Sequence, residues 1–411
     1  MSERPAALRL TDLAPAVRAL LASATALSHA RGEPLHLVGG LVRDLLLGRP
    51  GFDVDLVVVG DGLAFAREWA GRLDVPCRCH RDFLTAQLDV PAVGTVDVAT
   101  ARRETYPSPA ALPVVTPATL GEDLGRRDFA VNAMAVRLDG EEFLDPWNGL
   151  ADLAARRLRV LHPRSFEDDP TRILRGVRLG ARLGFGFDAE TADLACEAIT
   201  NGAFTPLSGA RLAGELALLA PLAGSAELGE AFARLGQLSF FGAVLGLAAP
   251  PPATVAALGA APGGGDPWLR LLLTLGRGGD EEALADRLHV TGERRRRLVG
   301  ANERAQRARR ALGDLARRPS QVHEALAELG DDELALLASE PPPVGPRVRD
   351  EIVRMRPLTL TIHGRDLLAH GVAPGPRVGR VLAEVRRGRL DGELAAEEEL
   401  GRALAVAKEA E

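Results

Sequence analysis

Two aspartates one residue apart, Asp53 and Asp55 in Asp53-Val-Asp-Leu-Val-Val-Val59, have the types and spacing for chemistry. On a strand, side chains at i and i+2 leave the same face, so the two carboxylates would stand a few ångströms apart and repel. A hard divalent cation relieves that repulsion. Magnesium held by carboxylates and substrate phosphates is the usual arrangement for phosphoryl and nucleotidyl transfer. Asp97, in Thr95-Val-Asp-Val-Ala-Thr100, is placed to add a third carboxylate from a neighbouring strand. Just upstream, Gly39-Gly40-Leu-Val-Arg43-Asp44 reads as a strand-to-helix turn. Glycines without Cβ atoms let a triphosphate approach the backbone amides at the positive end of the next helix, and Arg43 can add charge-assisted bonds. A bare Gly-Gly or Asp-x-Asp is common, but a glycine turn, a helix and an acidic strand in close succession form a strong signal.

The elements that must hold these groups follow from periodicity. Residues 10–30 carry Leu and Ala at helical spacing, Pro34 to Val38 is a short strand, and Leu41 to Leu47 is a helix. Asp53 to Val59 is a strand, Leu63 to Leu73 a helix, and a β-rich stretch ends at Thr95–Thr100. The N-terminal part is therefore a mixed α/β domain. Residues 102–122 hold four Pro and little periodicity, which predicts a mobile surface loop. Beyond about residue 150 amphipathic helices take over, with breaks at Pro250–Pro252, Ala261–Pro267 and Glu340–Pro346. Aromatics are only 4% of the chain, so the later cores should be aliphatic.

With 411 residues and a net charge of −6, the chain is long enough for two to four units and too acidic for general polyanion binding. Contact with nucleic acid must come from a local patch. Arg287 to Arg318 supplies one, with eleven Arg against Glu293, Glu303 and Asp314. Few aromatics suit duplex phosphates better than base stacking, and Arg294, Arg295, Arg296 and Arg297 are its densest run. A solvated helical surface is the bland alternative. Cys77-Arg-Cys79-His80 is not followed by a second Cys/His pair at zinc spacing, so it reads as two small residues in or beside a strand. Three Cys make no disulfide framework, no signal peptide opens the chain, and no apolar run is long enough to span a membrane. These features predict a cytoplasmic protein.

Gly39-Gly-Leu-Val-Arg-Asp-Leu-Leu-Leu-Gly48 with Asp53-Val-Asp55 resembles the head of the class II tRNA nucleotidyltransferases and bacterial poly(A) polymerases, in the polymerase-beta-like superfamily. A second block, Glu122-Asp-Leu-Gly-Arg126-Arg127-Asp128-Phe-Ala-Val-Asn132-Ala133, is similar to that family's Arg-Arg-Asp…Asn-Ala motif. A third, Asp168-Asp169-Pro-Thr-Arg172-Ile-Leu-Arg175, is similar to its base-reading motif, with Asp168 where Glu is common. The C-terminal Ile362-His-Gly-Arg-Asp-Leu-Leu368 extends the likeness over nearly the whole chain.

The resemblance implies an α+β nucleotidyltransferase head with a mixed sheet over residues 1–145, followed by all-α neck (146–225), body (226–345) and tail (346–411) domains. It implies that Asp53, Asp55 and Asp97 hold two Mg2+ ions, and that Gly39, Gly40, Arg43, Asp44, Arg126, Arg127, Asp128, Asn132 and Arg175 bind the nucleotide. Asp169 and Arg172 would read the Watson–Crick edge of CTP or ATP, so that protein replaces a template. Standing alone, the last pair would read as an i, i+3 salt bridge on a helix, Arg126-Arg127-Asp128 as a solvated face, and Asn132 as a structural hydrogen-bonding residue. The expected activity is nucleotide addition to the 3′ end of tRNA, gripped also by its acceptor stem, as a CCA-adding or terminal A-adding enzyme. A CC-adding enzyme and a poly(A) polymerase share the chemistry, and the acidic C-terminus disfavours the latter. An idle RNA-binding protein on the same scaffold is disfavoured by the intact carboxylates. The helical half has no paired His-Asp motif of the phosphohydrolase type.

Overall fold

Helix α1 (Pro15–Arg31) starts at a proline, whose missing N–H costs nothing in a first turn, and stops at Gly32 in the left-handed conformation. The computed structural model describes residues 5, 8–49, 53–140, 142–259 and 265–409. The first half of the Ala261–Pro267 break lies outside them. The chain forms two compact units: residues 1–216 with 230–246, and residues 217–229 with 247–411.

The first unit is built on a seven-stranded mixed sheet. Its strands are β1 (Leu35–Val38), β2 (Val54–Val58), β3 (Cys77–His80), β4 (Thr85–Val90) and β5 (Gly94–Thr100). A two-stranded ribbon of β6 (Arg102–Thr105) and β7 (Val114–Pro117) stands apart, and β8 (Ala135–Arg137) and β9 (Phe143–Leu144) complete the sheet in the order β3-β4-β5-β2-β1-β8-β9. Within this sheet, among the described residues, only β2 and β5 pair in parallel, with Asp55 opposite Asp97. Strand alternation then divides the faces. Val54 and Leu56 with Val96 and Val98 are buried on one side, while Asp55 and Asp97 are half-buried on the other. Helices α2 (Gly40–Leu46) and α3 (Gly62–Leu73) follow their strands as expected, and α3 buries Phe65 and Trp69 completely. The Trp69 indole N–H donates to Ser23 of α1 at 3.0 Å. The carboxylate face carries its own cluster, Val38, Val57, Ala101, Leu124, Ala130, Ala133, Ala135 and Leu161, at the Val57 end of the strands.

Three expectations change here. Asp53 is exposed and precedes the first residue of β2, so only Asp55 sits on the strand. The stretch 102–122 is an ordered hairpin rather than a loop: β6 and β7 pair from Arg102↔Pro117 to Thr105↔Val114. Its prolines lie in the tip, just before β7 and at the end of β7, where no ladder N–H is needed. It leads into α4 (Leu120–Gly125), whose start is fixed by a capping box between Thr119 and Glu122. Third, the segment after the head is less purely aliphatic than composition suggests.

That segment comprises α5 (Gly149–Ala154), α6 (Ser165–Asp168), α7 (Thr171–Leu183), α8 (Ala189–Thr200) and α9 (Gly209–Ala217), with a short parallel pair of β10 (Arg157–Leu158) and β11 (Gly186–Phe187). Phe129 and Phe187 stack at 5.9 Å between ring centroids, and Gly176 on α7 leaves room for both, since a Cβ there would lie 2.5 Å from each ring. Phe204 meets Phe240 edge to face at 5.4 Å.

The second unit is helical throughout its described residues. Among its described residues are aliphatic clusters around Leu312, Leu326, Leu334 and Val348 and around Leu367, Val381, Val385 and Ala403. Among the described residues no helix is long and apolar enough to cross a membrane.

Candidate active site

Residues from all three sequence blocks line one cavity of about 490 Å³ in the first unit. Gly39, Gly40, Arg43, Asp53, Asp55, Arg126, Arg127, Asp128, Asn132, Asp169, Arg172 and Arg175 all border it. Asp44 and Asp97 do not: Asp44 lies behind, bound to Arg43 Nε at 2.7 Å, and Asp97 sits beside Asp55 on β5. The lining holds seven Arg against five carboxylates, an excess that suits a polyanionic guest.

Gly39 makes the approach possible. It turns out of β1 at φ +71°, and a Cβ there would lie 3.0 Å from Arg127 Nη1 and 3.3 Å from Asp55 Oδ2. Arg127 thus stands beside Asp55. Its Nη2 donates to buried Asp123 at 3.1 Å, while its buried Nε has no hydrogen-bond partner. The Asp55 carboxyl is pushed up to about 6: burial raises it most, Arg127 opposes the rise, and Asp97 and Asp53 add to it. A carboxylate disfavoured in this way by burial and by two like charges is one that a divalent cation would restore to full charge. The donor set therefore fits a metal. Among the described residues no three such side chains already stand at metal-holding distance.

Along the cavity wall runs a hydrogen-bonded chain. Arg43 Nη1 donates to Asn132 Oδ1 at 2.5 Å, and Asn132 Nδ2 donates to Asp128 Oδ1 at 2.9 Å. Asp128 Oδ2 accepts Arg175 Nε at 3.1 Å and Nη2 at 2.9 Å, and its Oδ1 also accepts the Phe129 N–H at 2.9 Å. All four lone-pair directions of Asp128 are thereby used by protein donors. Burial raises its carboxyl, yet Arg175, then the Asn132 bond, hold it below its ordinary value. Asp128 and Asn132 thus tie Arg43 and Arg175 into one hydrogen-bonded chain while both also border the cavity. Arg126 is likewise held, by Asp123 at 2.8 Å and Glu104 at 2.7 Å.

Asp169 and Arg172 do not pair, and they do not share a helix face. Asp169 adopts an extended conformation between α6 and α7, because the residue before a proline, here Pro170, is disfavoured in the helical region. Its Oδ1 accepts the Thr171 N–H (3.1 Å), Thr171 Oγ1 (2.7 Å) and Arg211 Nη2 (3.0 Å). Buried Arg172 donates to Ser165 Oγ at 2.7 Å, the Arg126 carbonyl at 2.8 Å and Tyr106 Oη at 3.3 Å. This leaves two of its N–H groups and Asp169 Oδ2 for a base edge.

Sequence reading missed Glu104, Tyr106, Arg178, Leu179 and Arg182, which also line the cavity. The α7 residues could have been found, since 175, 178, 179 and 182 follow Arg172 at helical spacing. Glu104 lies on β6 and Tyr106 just beyond its end, two residues on, a spacing hidden by the loop assignment.

Arg294 to Arg297 belong to the second unit, on the helix Gly292–Leu298. Each has an acidic partner: Asp266, Asp286, Glu293 and Glu333 respectively. Further along, Arg304, Arg307, Arg309 and Arg318 pair with Glu333, Glu328, Glu340 and Glu393. The basic excess along the sequence is thus largely offset by carboxylates from outside the segment. Arg296 remains the most exposed of the four, at 77% of its side chain.

Fold and site together define a nucleotidyltransferase head, and residues 35–159 match the family model described as the poly A polymerase head domain. The CC-adding tRNA nucleotidyltransferase of Deinococcus radiodurans is 36% identical over 365 residues, covering 87% of this chain and 85% of the relative. The A-adding tRNA nucleotidyltransferase of Halalkalibacterium halodurans is 41% identical over 219 residues, covering 52% of this chain and 50% of the relative. The structure of the Thermotoga maritima CCA-adding enzyme complexed with tRNA superposes with a TM-score of 0.81 at 26% identity, over 97% of each chain. The chain belongs to the tRNA nucleotidyltransferase and poly(A) polymerase family. It spans half or less of the length of the A-adding relatives it matches.

Proposed function

We propose that this protein adds nucleotides, without a template, to the 3′ end of tRNA, as a CCA-adding or terminal A-adding enzyme using CTP and ATP. The observation that carries this reading is that the arginines facing Asp55 and the separate pair Asp169 and Arg172 line one cavity. Arg127, with Gly39 giving access, binds the triphosphate; Arg43 and Arg175 add charge from positions fixed by Asn132 and Asp128. Asp169 and Arg172 orient the base through the acceptor and donors their own partners leave unused. Asp53, Asp55 and Asp97 would hold magnesium, which when bound activates the RNA 3′ hydroxyl and neutralises charge on the departing pyrophosphate. Residues 1–145 would form the catalytic head, 146–225 a neck that reads the nucleotide, and 226–345 and 346–411 a body and tail for tRNA. The work would take place in the cytoplasm.

A CC-adding enzyme is the second reading, favoured by the extent of the likeness to the Deinococcus radiodurans protein. The hairpin 102–117 favours the first, since the family resemblance implies a curtailed segment here in members that add only CC. Incubation with tRNA ending at the discriminator base, or at CC, with CTP and ATP supplied separately and together, decides between them. AMP added to tRNA ending in CC supports the first reading. CMP addition alone supports the second, and no addition with either nucleotide refutes both.

A further inference from the structure

Strand β3, outermost in the sheet, carries two thiols that fall in none of the sequence blocks, Cys77 and Cys79. Residues i and i+2 of a strand share a face, and here the two Sγ atoms stand 3.8 Å apart. The register shows which face this is. Cys77 pairs with Leu88 and Cys79 with Ala86 on β4, and these in turn pair with Val96 and Val98 on β5. That row is the apolar side of the sheet, on which α3 packs. Asp55 and Asp97 leave the opposite side, so the thiols lie apart from the carboxylate site. Leu88 and Ala86 are fully buried, whereas Cys77 and Cys79, at the sheet edge, are only half-buried and open to an ion from solvent.

Geometry limits what the pair can do. An extended strand sets the Cα atoms of i and i+2 about 6.6–6.8 Å apart, at the outer limit of about 6.8 Å that a disulfide tolerates. Structural zinc needs four donors, and among the described residues no third His, Cys, Asp or Glu joins the two thiols at metal-holding distance. A soft monovalent ion such as Cu(I) is content with two thiolates. Two metal–sulfur bonds of about 2.3 Å hold sulfurs up to about 4.6 Å apart, and the observed 3.8 Å lies within that span. Burial, and then Cys79, raise the Cys77 thiol to about 11, and Arg67 on α3 opposes the rise. Cys77 is therefore a slow nucleophile at neutral pH, and a metal has to displace its proton. Arg67 also offsets the single negative charge that two thiolates leave around one monovalent cation.

We propose that Cys77 and Cys79 form a binding site for one soft monovalent cation of the Cu(I) type at the edge of the head sheet. Binding breaks two S–H bonds, forms two metal–sulfur bonds and releases two protons to solvent, with no change of oxidation state. Sulfur selects a soft ion and carboxylate oxygen a hard one, so the two faces of the sheet do not compete for the same metal.

The test is anaerobic titration of the reduced full chain with Cu(I) against bicinchoninate, a chelator that colours when it takes the ion. The wild type should withhold one Cu(I) per chain. Cys77→Ser and Cys79→Ser should each weaken retention by more than about tenfold, since even an outer-shell partner of a metal ligand is worth about 10–100-fold. Cys196→Ser, at an exposed position on α8, should retain the ion as the wild type does, and excess Mg2+ should not displace it. Should the serine variants fail to fold, X-ray absorption at the copper edge of the loaded wild type decides: two sulfur neighbours support the site, and nitrogen or oxygen neighbours overturn it. Retention that survives in Cys77→Ser or Cys79→Ser, is lost in Cys196→Ser or yields to Mg2+ overturns the proposal, as does a wild type that surrenders all its copper to the chelator.

Discussion

Replacing Asp128 by Asn removes one charge and turns one acceptor into a donor, at a position where all four acceptor directions are in use. If the amide oxygen keeps the Oδ1 place, it still accepts from Phe129 and Asn132. The new NH2 then faces Arg175 Nε and Nη2, so two charge-assisted bonds disappear and donor meets donor. Hydrogen bonds to charged groups contribute about 1.5–3 kcal/mol each when buried. The Arg175 side chain is 47% exposed, however, so water screens the pair and takes over part of the bonding. The expected loss of stability is about 2 kcal/mol. Because Asp128 is held below its ordinary value in the folded state, its contribution is complete above the usual carboxylate range and fades as pH falls through that lowered value. The variant and the wild type should therefore converge in acid.

The assay is urea unfolding followed by tryptophan fluorescence in a Trp268→Phe background, which leaves Trp69 and Trp147, both in the first unit. KM for ATP should rise alongside, since Arg175 is no longer fixed at the cavity. In an Arg175→Met background the cost of Asp128→Asn should fall by half or more. A loss under about 0.5 kcal/mol, within the range of ordinary surface changes, together with an unchanged KM, would refute the positioning role given to Asp128.

Asp55→Asn should abolish nucleotide addition and leave tRNA binding within about twofold, and turnover within about tenfold of wild type would remove Asp55 from the chemistry. Gly39→Ala must place a methyl against Arg127 and Asp55 at φ +71°, so it should raise KM for the triphosphate more than it lowers overall stability; an unaltered KM would show that nothing passes there. Neutralising Arg295 and Arg296 should flatten the salt dependence of tRNA binding by about 0.7 to 0.9 log units for each phosphate that is no longer neutralised, and an unchanged slope would make this helix an ordinary solvated face. His36 is buried and depressed to about 4, first by burial and then by Arg137, so the folded state binds its proton less readily than the unfolded chain. Its contribution is present above about pH 6.5 and should decline by about 2.5 kcal/mol on going to pH 4.5, a decline that urea titrations of His36→Gln should lack.

Local order was legible in the sequence wherever neighbours along the chain settle it. The glycine turn, the helix after it, the alternation that puts Asp55 and Asp97 on one face, and the helical second half all follow from spacing and backbone preference. Even the extended Asp169 was written in Pro170, although the two motif residues on either side suggested a shared helix. Tertiary structure decided what depends on partners far away in sequence. Glu104 and Tyr106 reach the cavity only because β6 finds β7 across a proline-rich tip, a pairing with weak periodicity of its own. That Asp128 is bonded to Arg175, 47 residues on, is likewise a matter of the fold. The arginine run after Arg287 looked free because the segment itself does not contain Asp266, Asp286, Glu333 and Glu340, which the fold delivers from elsewhere. Coulomb interactions and hydrogen bonds act over a few ångströms of space regardless of chain separation, so the charge state and freedom of these side chains were set only when the fold brought their partners to them.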